Sequence, residues 1–507
     1  MCIRDSYYRS DSSVNTSFYD NKSLLDKASV DYVNNYPNIS HKDSMLADQW
    51  SFISYFTRIN YNYKGKFFAQ ALARVDGSSK FGPNNKYGFF PAVSLGYILS
   101  DESFFKSSLP FINYFKLRTS YGITGNASIP SFRYLDNFNA SAGNGNAPYN
   151  GQGTIGQTQV ANPDLKWETA NNFDAGVEFG LFKNKLTGDI SYYNKLSKDV
   201  LMNIGLEEGY GIGGSTIYQN VGKVRNEGVE IALNFRAIQQ KDLRLNFFIN
   251  TAHNTNVVLD AGGYAPDAIQ SGTNETRVLV GYPLGTSYSI IYKGVDPTDG
   301  LPLWLDKDGK ITKVFPDVAT SRRPAGKLIP DWTGGFGGNL YYKGFELNTL
   351  FAFSTGLDIW DNSGKNQFLG ASSGQNWNIR REFLDRWTKP GDQTLYPRFT
   401  YDLYPGVGNP SLFSSNMFLY NADYLRLREL TVAYNFKSDA LRKIKIENIR
   451  VFLTGTNLFL WTKYKGGDPE VNRDADGGTA DRNMSPNVTY LTAPQAKTVQ
   501  FGLNVNF

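Results

Sequence analysis

The stretch "ARVDGSSKFGPNNKYGFFPAVSLGYIL", residues 73–99, decides the fold class. Two runs of alternating side chains flank a polar, glycine-rich connection. In the second run Phe89, Val93, Leu95 and Tyr97 fall on one side, and the small or polar Ala92, Ser94 and Gly96 on the other. Successive side chains of a strand point to opposite faces, so a period of two predicts a strand with one apolar face.

The same period recurs along the chain. "YFKLRTSYGI" (114–123) sets Phe115, Leu117, Thr119, Tyr121 and Ile123 against Lys116, Arg118, Ser120 and Gly122. Residues 228–237 set Val229, Ile231, Leu233 and Phe235 against Glu230, Asn234 and Arg236. "KTVQFGLNVNF" (497–507) ends on Val499, Phe501, Leu503, Val505 and Phe507 against polar alternates. In "YLRLRELTVAYNF" (424–436) the parity slips between Leu427 and Leu430, which predicts a bulge near Glu429.

A sandwich and a barrel share this alternation, and the connections separate them. Tight connections fall at Lys64-Gly65, Phe182–Asn184, Ile238–Asp242 and Lys343-Gly344. Between them lie long ones at 77–88, 124–170, 196–227, 252–331, 355–423 and 461–496, with 100–113 as the one medium-length member of the short side. A sandwich has no reason to sort its loops by side, whereas an outer-membrane barrel has short periplasmic turns and long external loops. Ten or eleven residues at ~3.3 Å, tilted about 40°, cover roughly the 25 Å apolar band. In lipid only a closed sheet satisfies its peptide groups. About thirteen strands are expected between 51 and 507, an odd number for a whole bacterial barrel.

Composition agrees. Aromatic residues reach 15% of the 507, with 32 Tyr and 35 Phe. Amphipathic rings of this kind concentrate at membrane–water interfaces. The net charge of +5 and the lack of a basic block argue against a nucleic-acid partner. A single cysteine, Cys2, rules out a disulfide framework, and two distant histidines, His41 and His253, leave little scope for histidine chemistry. No run approaches the ~18–20 apolar residues of a spanning helix. Arg4 and Asp5 stand where a leader's apolar segment would begin, so the chain is expected to be a C-terminal piece of a longer envelope protein. Its expected division is an irregular start or external loop over 1–48 and barrel over 49–507.

Several motifs resemble, in order, those of the SusC/RagA family of TonB-linked outer-membrane proteins. They are "RINYNYKGKF" (58–67), Arg74 with Asp76-Gly77-Ser78-Ser79 and Phe81-Gly82, and "KLRTSYGITGN" (116–126). "NPDLKWET" (162–169), "NVGKVRNEGVEIAL" (220–233), "GGFGGNLYYKGFEL" (334–347), "YLRLREL" (424–430) and "GTNLFLWTKYKGGDPE" (455–470) complete the series. The resemblance implies an all-β, antiparallel transmembrane β-barrel, the C-terminal part of a 22-stranded barrel of the plugged class, with the plug itself absent from this sequence. It implies active import of an oligosaccharide or peptide, a SusD-like lipoprotein closing the mouth, and a TonB complex acting through an N-terminal region. No enzyme activity and no cofactor is implied. Arg74, Asp76, Lys116, Arg118, Glu230 and Arg236 would then face the lumen, lining it or meeting the plug, or simply keeping that face solvated. Phe501 and the final Phe507 resemble the signal read by the barrel-assembly machinery.

Other motifs are weaker. Gly209, Gly211 and Gly214 satisfy G-x-G-x-x-G but lie in a loop between antiparallel strands, without the strand–turn–helix context of dinucleotide binding. Asp474 and Asp476 in "NRDADGG" suggest a calcium loop, yet Asn483 stands where its bidentate Glu belongs. Glu207-Glu208 has no evident partner for glycosidase chemistry. Among external-loop tryptophans, Trp360 and Trp377 are candidates for ligand or lid contact. Ile379, Phe383, Leu384 and Trp387 have the spacing of a short packed helix. A passive porin and a secreted β-sandwich glycan-binding protein are the competing readings.

Overall fold

In the computed structural model, residues 2–20, 40–139, 156–206, 216–269, 276–372, 378–399, 415–470, 487–490 and 492–507 are described. One antiparallel sheet dominates. Its strands are β1 (Cys2–Asp20), β2 (Ser40–Tyr63), β3 (Phe67–Ser78), β4 (Ala92–Ile98), β5 (Ile112–Asn126), β6 (Glu168–Leu181) and β7 (Leu186–Lys198). β8 (Lys223–Gln239), β9 (Leu243–Asp260), β10 (Trp332–Tyr342), β11 (Phe345–Thr355), β12 (Tyr424–Phe436), β13 (Asn448–Thr462) and β14 (Thr498–Asn506) follow. Each strand pairs with its neighbours in sequence, and only the short Tyr87–Phe89 strand, on β3, lies off this path. β1 and β14 hold the two edges, so the described strands form an open arc of barrel wall.

The turn chemistry explains the tight connections. Lys64 and Gly65 have φ of 52° and 67°, and Lys343 and Gly344 have 46° and 94°. Positive φ at both central residues is the hairpin turn whose twist matches its flanking strands. Two medium-length connections occupy this side rather than one. Residues 99–111 carry a short helix, Ser103–Ser108, and residues 437–447 carry another, Asp439–Lys443. The start of the chain also differs from expectation, since residues 2–20 and 40–48 are strand, paired in register from Cys2–Arg58 to Asp20–Ser40.

Register turns the strand periods into two faces. One row of directly paired residues runs Tyr63, Phe67, Tyr97, Leu117, Val177, Ile190 and Ile231 from β2 to β8. It continues through Thr251, Gly334, Phe353 and Leu425 to Trp461 on β13. The row one residue away runs Asn62, Phe68, Gly96, Arg118, Gly176, Ser191, Glu230 and Ala252, almost wholly polar or small. Val93 and Leu95 on the apolar side are 50% and 54% exposed. The register slips between Leu427 and Glu429, which places the bulge at Arg428.

The apolar cores lie elsewhere. Four small sheets and most fully enclosed side chains belong to the long connections. The largest cluster joins Ile290, Trp304, Trp360, Phe368, Phe418 and Val488 across three different loops, with Phe383 packed among them. The described parts of the long connections thus form a folded layer with its own cores. No helix among the described residues is long and apolar enough to cross a membrane.

Candidate functional site

The polar face of the wall gathers the charged residues that the alternation singles out. Arg74, Asp76, Lys116, Arg118, Glu230 and Arg236 all share it, as their register partners show. Four of the six are held in ion pairs. Arg74 Nε lies 2.6 Å from Asp76 Oδ1 and its Nη2 donates to Ser54 Oγ at 3.0 Å. Lys116 Nζ lies 2.8 Å from Glu178. Arg118 bridges two neighbouring strands, reaching Asp174 on β6 at 2.6 Å and Asp189 on β7 at 2.9 Å. Partly exposed pairs such as those of Lys116 and Arg118 contribute little stability singly, while the Asp76 carboxylate is buried against Arg74. The effect of the Arg118 pairs is to hold a guanidinium between carboxylates of two neighbouring strands.

Glu230 and Arg236 make no ion pair among the described residues and line two adjoining concavities instead. The first, of about 890 Å³, lies between Asn113, Glu178, Asp189, Asn234, Arg236 and Asn250. The second, of about 310 Å³, shares Asp189 and Asn250 and adds Glu230 and Thr333. Carboxylates, amides and a guanidinium together offer hydrogen bonds of both senses to a polar solute.

Three contacts that sequence reading missed each join two separated motifs, the first two within the loop layer and the third between that layer and the wall. Gly82 donates its N–H to Leu165 O at 2.9 Å, and Phe81 packs on Trp167 with ring centroids 4.7 Å apart. A Cβ at Gly82 would lie 1.9 Å from Pro163 O, so only glycine permits this approach. Asn220 accepts from Lys166 N–H at 2.8 Å and donates to Lys166 O at 2.7 Å, pairing like a strand. Arg426 on β12 meets Asp468 at 2.5 Å with both side chains buried, and the bulged Arg428 reaches Glu470 and, at 2.8 Å, Gln495.

A second buried pair anchors the layer itself. Asp361 is fully enclosed and bonds both outer nitrogens of Arg380, while accepting from Gly364 N–H at 2.9 Å. Burial opposes the Arg380 charge, yet the contacts to Asp361 outweigh it and raise its pKa. Burial also raises the Glu382 carboxyl above its ordinary range, and pushes the Tyr396 hydroxyl up to about 12. Tyr396 and Tyr420 share a hydrogen bond of 3.1 Å.

The remaining candidates fall out differently. Trp360 does not face ligand or lid, because its ring is 0% exposed inside the largest loop core. A layer with its own core draws its widest rings inward, and Trp304 is enclosed in the same way. Phe383 is buried in a 3₁₀ turn, Arg381–Asp385, but Leu384 points out and Trp387 lies beyond the turn, donating to Pro297 O at 3.0 Å. Phe501 and Phe507 are exposed, Phe501 on the apolar face of the edge strand β14. Trp377, Asp474 and Asp476, and the glycines 209, 211 and 214, lie outside the described residues.

A family model described as TonB dependent receptor-like, beta-barrel, matches residues 4–458. The chain belongs to that family. As a TonB-dependent receptor-like barrel it is an outer-membrane protein, and the family is one of receptors and transporters rather than enzymes. TonB-dependent receptor P3 of Formosa agariphila is 31% identical over 492 residues, covering 92% of this chain and 47% of that protein. TonB-dependent receptor SusC of Bacteroides thetaiotaomicron is 27% identical over 475 residues, covering 87% and 44%. The chain thus spans about half the length of the curated relatives it matches. The RagAB peptide transporter superposes with a TM-score of 0.77 at 24% identity, over 100% of this chain and 53% of that one, a likeness of fold. The open arc with two free edges matches a barrel wall represented in part.

Proposed function

We propose that this barrel wall serves TonB-dependent import of a large polar nutrient, an oligosaccharide or a peptide, across the outer membrane. In this reading a SusD-like lipoprotein closes over the folded loop layer. The TonB complex acts through a region beyond this half-length chain. The observation that carries the proposal is the charge-patterned polar face, with Arg118 paired to both Asp174 and Asp189 beside open hydrogen-bonding concavities. A solute with many hydroxyls or amides exchanges hydrogen bonds along such a wall, whereas an apolar one would have to desolvate it. The family match supports the coupling to TonB.

The test is uptake of labelled oligosaccharides and peptides of graded length by cells expressing the complete reading frame. Uptake of solutes above porin size that stops when a protonophore collapses the inner-membrane gradient is expected. Uptake that survives the protonophore identifies a passive pore and contradicts the proposal. Co-purification of a surface lipoprotein with the barrel tests the lid separately.

A further inference from the structure

The short-turn end of the wall concentrates positive charge. Connections 64–66, 99–111, 182–185, 240–242, 343–344 and 437–447 together hold eleven Lys and Arg against five Asp and Glu, a net of +6. The whole chain has 52 against 47, a net of +5, so everything outside this rim is close to neutral. Lys66 and Lys106 are engaged by Glu102 and Asp101. Lys64, Lys183, Lys185, Lys241 and Lys343 are exposed and pair with no carboxylate among the described residues.

These cations stand directly below exposed rings of the apolar face. Lys64 Nζ lies 5.1 Å from the centre of the Tyr63 ring and Lys343 Nζ lies 5.6 Å from that of Tyr342. Phe182 lies within the 182–185 lysine turn, and Phe235 pairs with Leu186 beside it, both rings exposed. Aromatic rings of this kind settle at the headgroup level, which sets the lysines at the height of lipid phosphates. Above the Lys64 turn a groove of about 610 Å³ opens on the apolar face, lined by Tyr61, Tyr63, Phe67, Leu95, Tyr97 and Leu117.

We propose that this rim binds anionic glycerophospholipids of the periplasm-facing leaflet. The free lysines hold headgroup phosphates, and the groove takes an acyl chain. A zwitterionic lipid offers the same phosphate with its own cation attached, so the rim discriminates by net headgroup charge. The inference rests on the membrane orientation and is independent of import.

The test is native mass spectrometry of the full-length protein, titrated with phosphatidylglycerol or phosphatidylethanolamine of identical acyl chains. Phosphatidylglycerol adducts are expected to form about tenfold more tightly, as expected where several lysines act together. A combined Lys64→Gln, Lys183→Gln, Lys241→Gln and Lys343→Gln variant should lose that preference, while Lys307→Gln with Lys310→Gln on the opposite, loop side should keep it. Phe67→Ala with Tyr97→Ala should reduce adducts of both lipids. Equal binding of the two lipids by the unaltered protein, or a preference that survives the four rim substitutions in a folded barrel, overturns the proposal. Adducts insensitive to the groove variant overturn its acyl-chain part.

Discussion

Leu95 and Phe368 are both large apolar side chains of one chain, yet they live under opposite rules. Leu95 stands 54% exposed on the wall, whereas Phe368 is fully enclosed, its ring 5.4 Å from Phe383 and 5.7 Å from Phe418. The wall presents its apolar rows outward because lipid is its solvent there, and it is held by inter-strand hydrogen bonds rather than by a core. The loop layer meets water and must fold like a small soluble domain, with the transfer of apolar surface driving it. One sequence therefore carries two hydrophobic codes, and proximity to a long connection decides which applies.

The largest break in this comparison falls where the two regions meet. Asp468→Ala combined with Glu470→Ala leaves Arg426 buried without either carboxylate partner and is expected to cost about 3–5 kcal/mol. Limited proteolysis should then release the loop layer while the barrel keeps its resistance to unfolding by detergent at low temperature. Phe368→Ala should cost a similar or slightly smaller amount, about 3–4 kcal/mol, confined to the layer. A loss of strand content by circular dichroism instead would show that layer and wall fold as one. On the wall itself, Leu95→Arg is expected to cost about 2–4 kcal/mol in urea titrations with lipid vesicles present, and Ser94→Arg far less. Equal costs at the two neighbours would erase the distinction between the faces.

The smallest effect is electrostatic. The side-chain bond from Lys313, then those from Thr298, hold the Asp296 carboxyl at about 2. Because this folded pKa lies below the unfolded value of 3.8, its contribution is present above 3.8 and lost as pH falls toward 2. Asp296→Asn should flatten that acid limb of loop-layer unfolding, lowering stability slightly at neutral pH and leaving it unchanged near pH 2.

Much of the wall was legible in the sequence because a period of two survives any tertiary detail. The parity of Val93, Leu95 and Tyr97 assigns a face without a partner strand, and the slip before Leu430 reports the bulge at Arg428 directly. Pairing was not legible, since Arg118 meets Asp174 and Asp189 only through register across three strands. The loop layer was the least legible part. Trp360 reads as an exposed external ring until its strand, Asp358–Asp361, is seen between Leu419–Asn421 and Val488–Thr489. Motifs that looked like separate signatures proved to be halves of single contacts, as with Gly82 and Pro163.

The central claim is that residues of one parity meet lipid and those of the other meet water. In a Cys2→Ser background, spin labels placed singly at 92 through 97 in a reconstituted bilayer test it most directly. The account predicts high collision rates with dissolved oxygen at 93, 95 and 97, and high rates with a water-soluble nickel chelate at 92, 94 and 96. Accessibility that fails to alternate, or that favours the chelate at Val93 and Leu95, would contradict it.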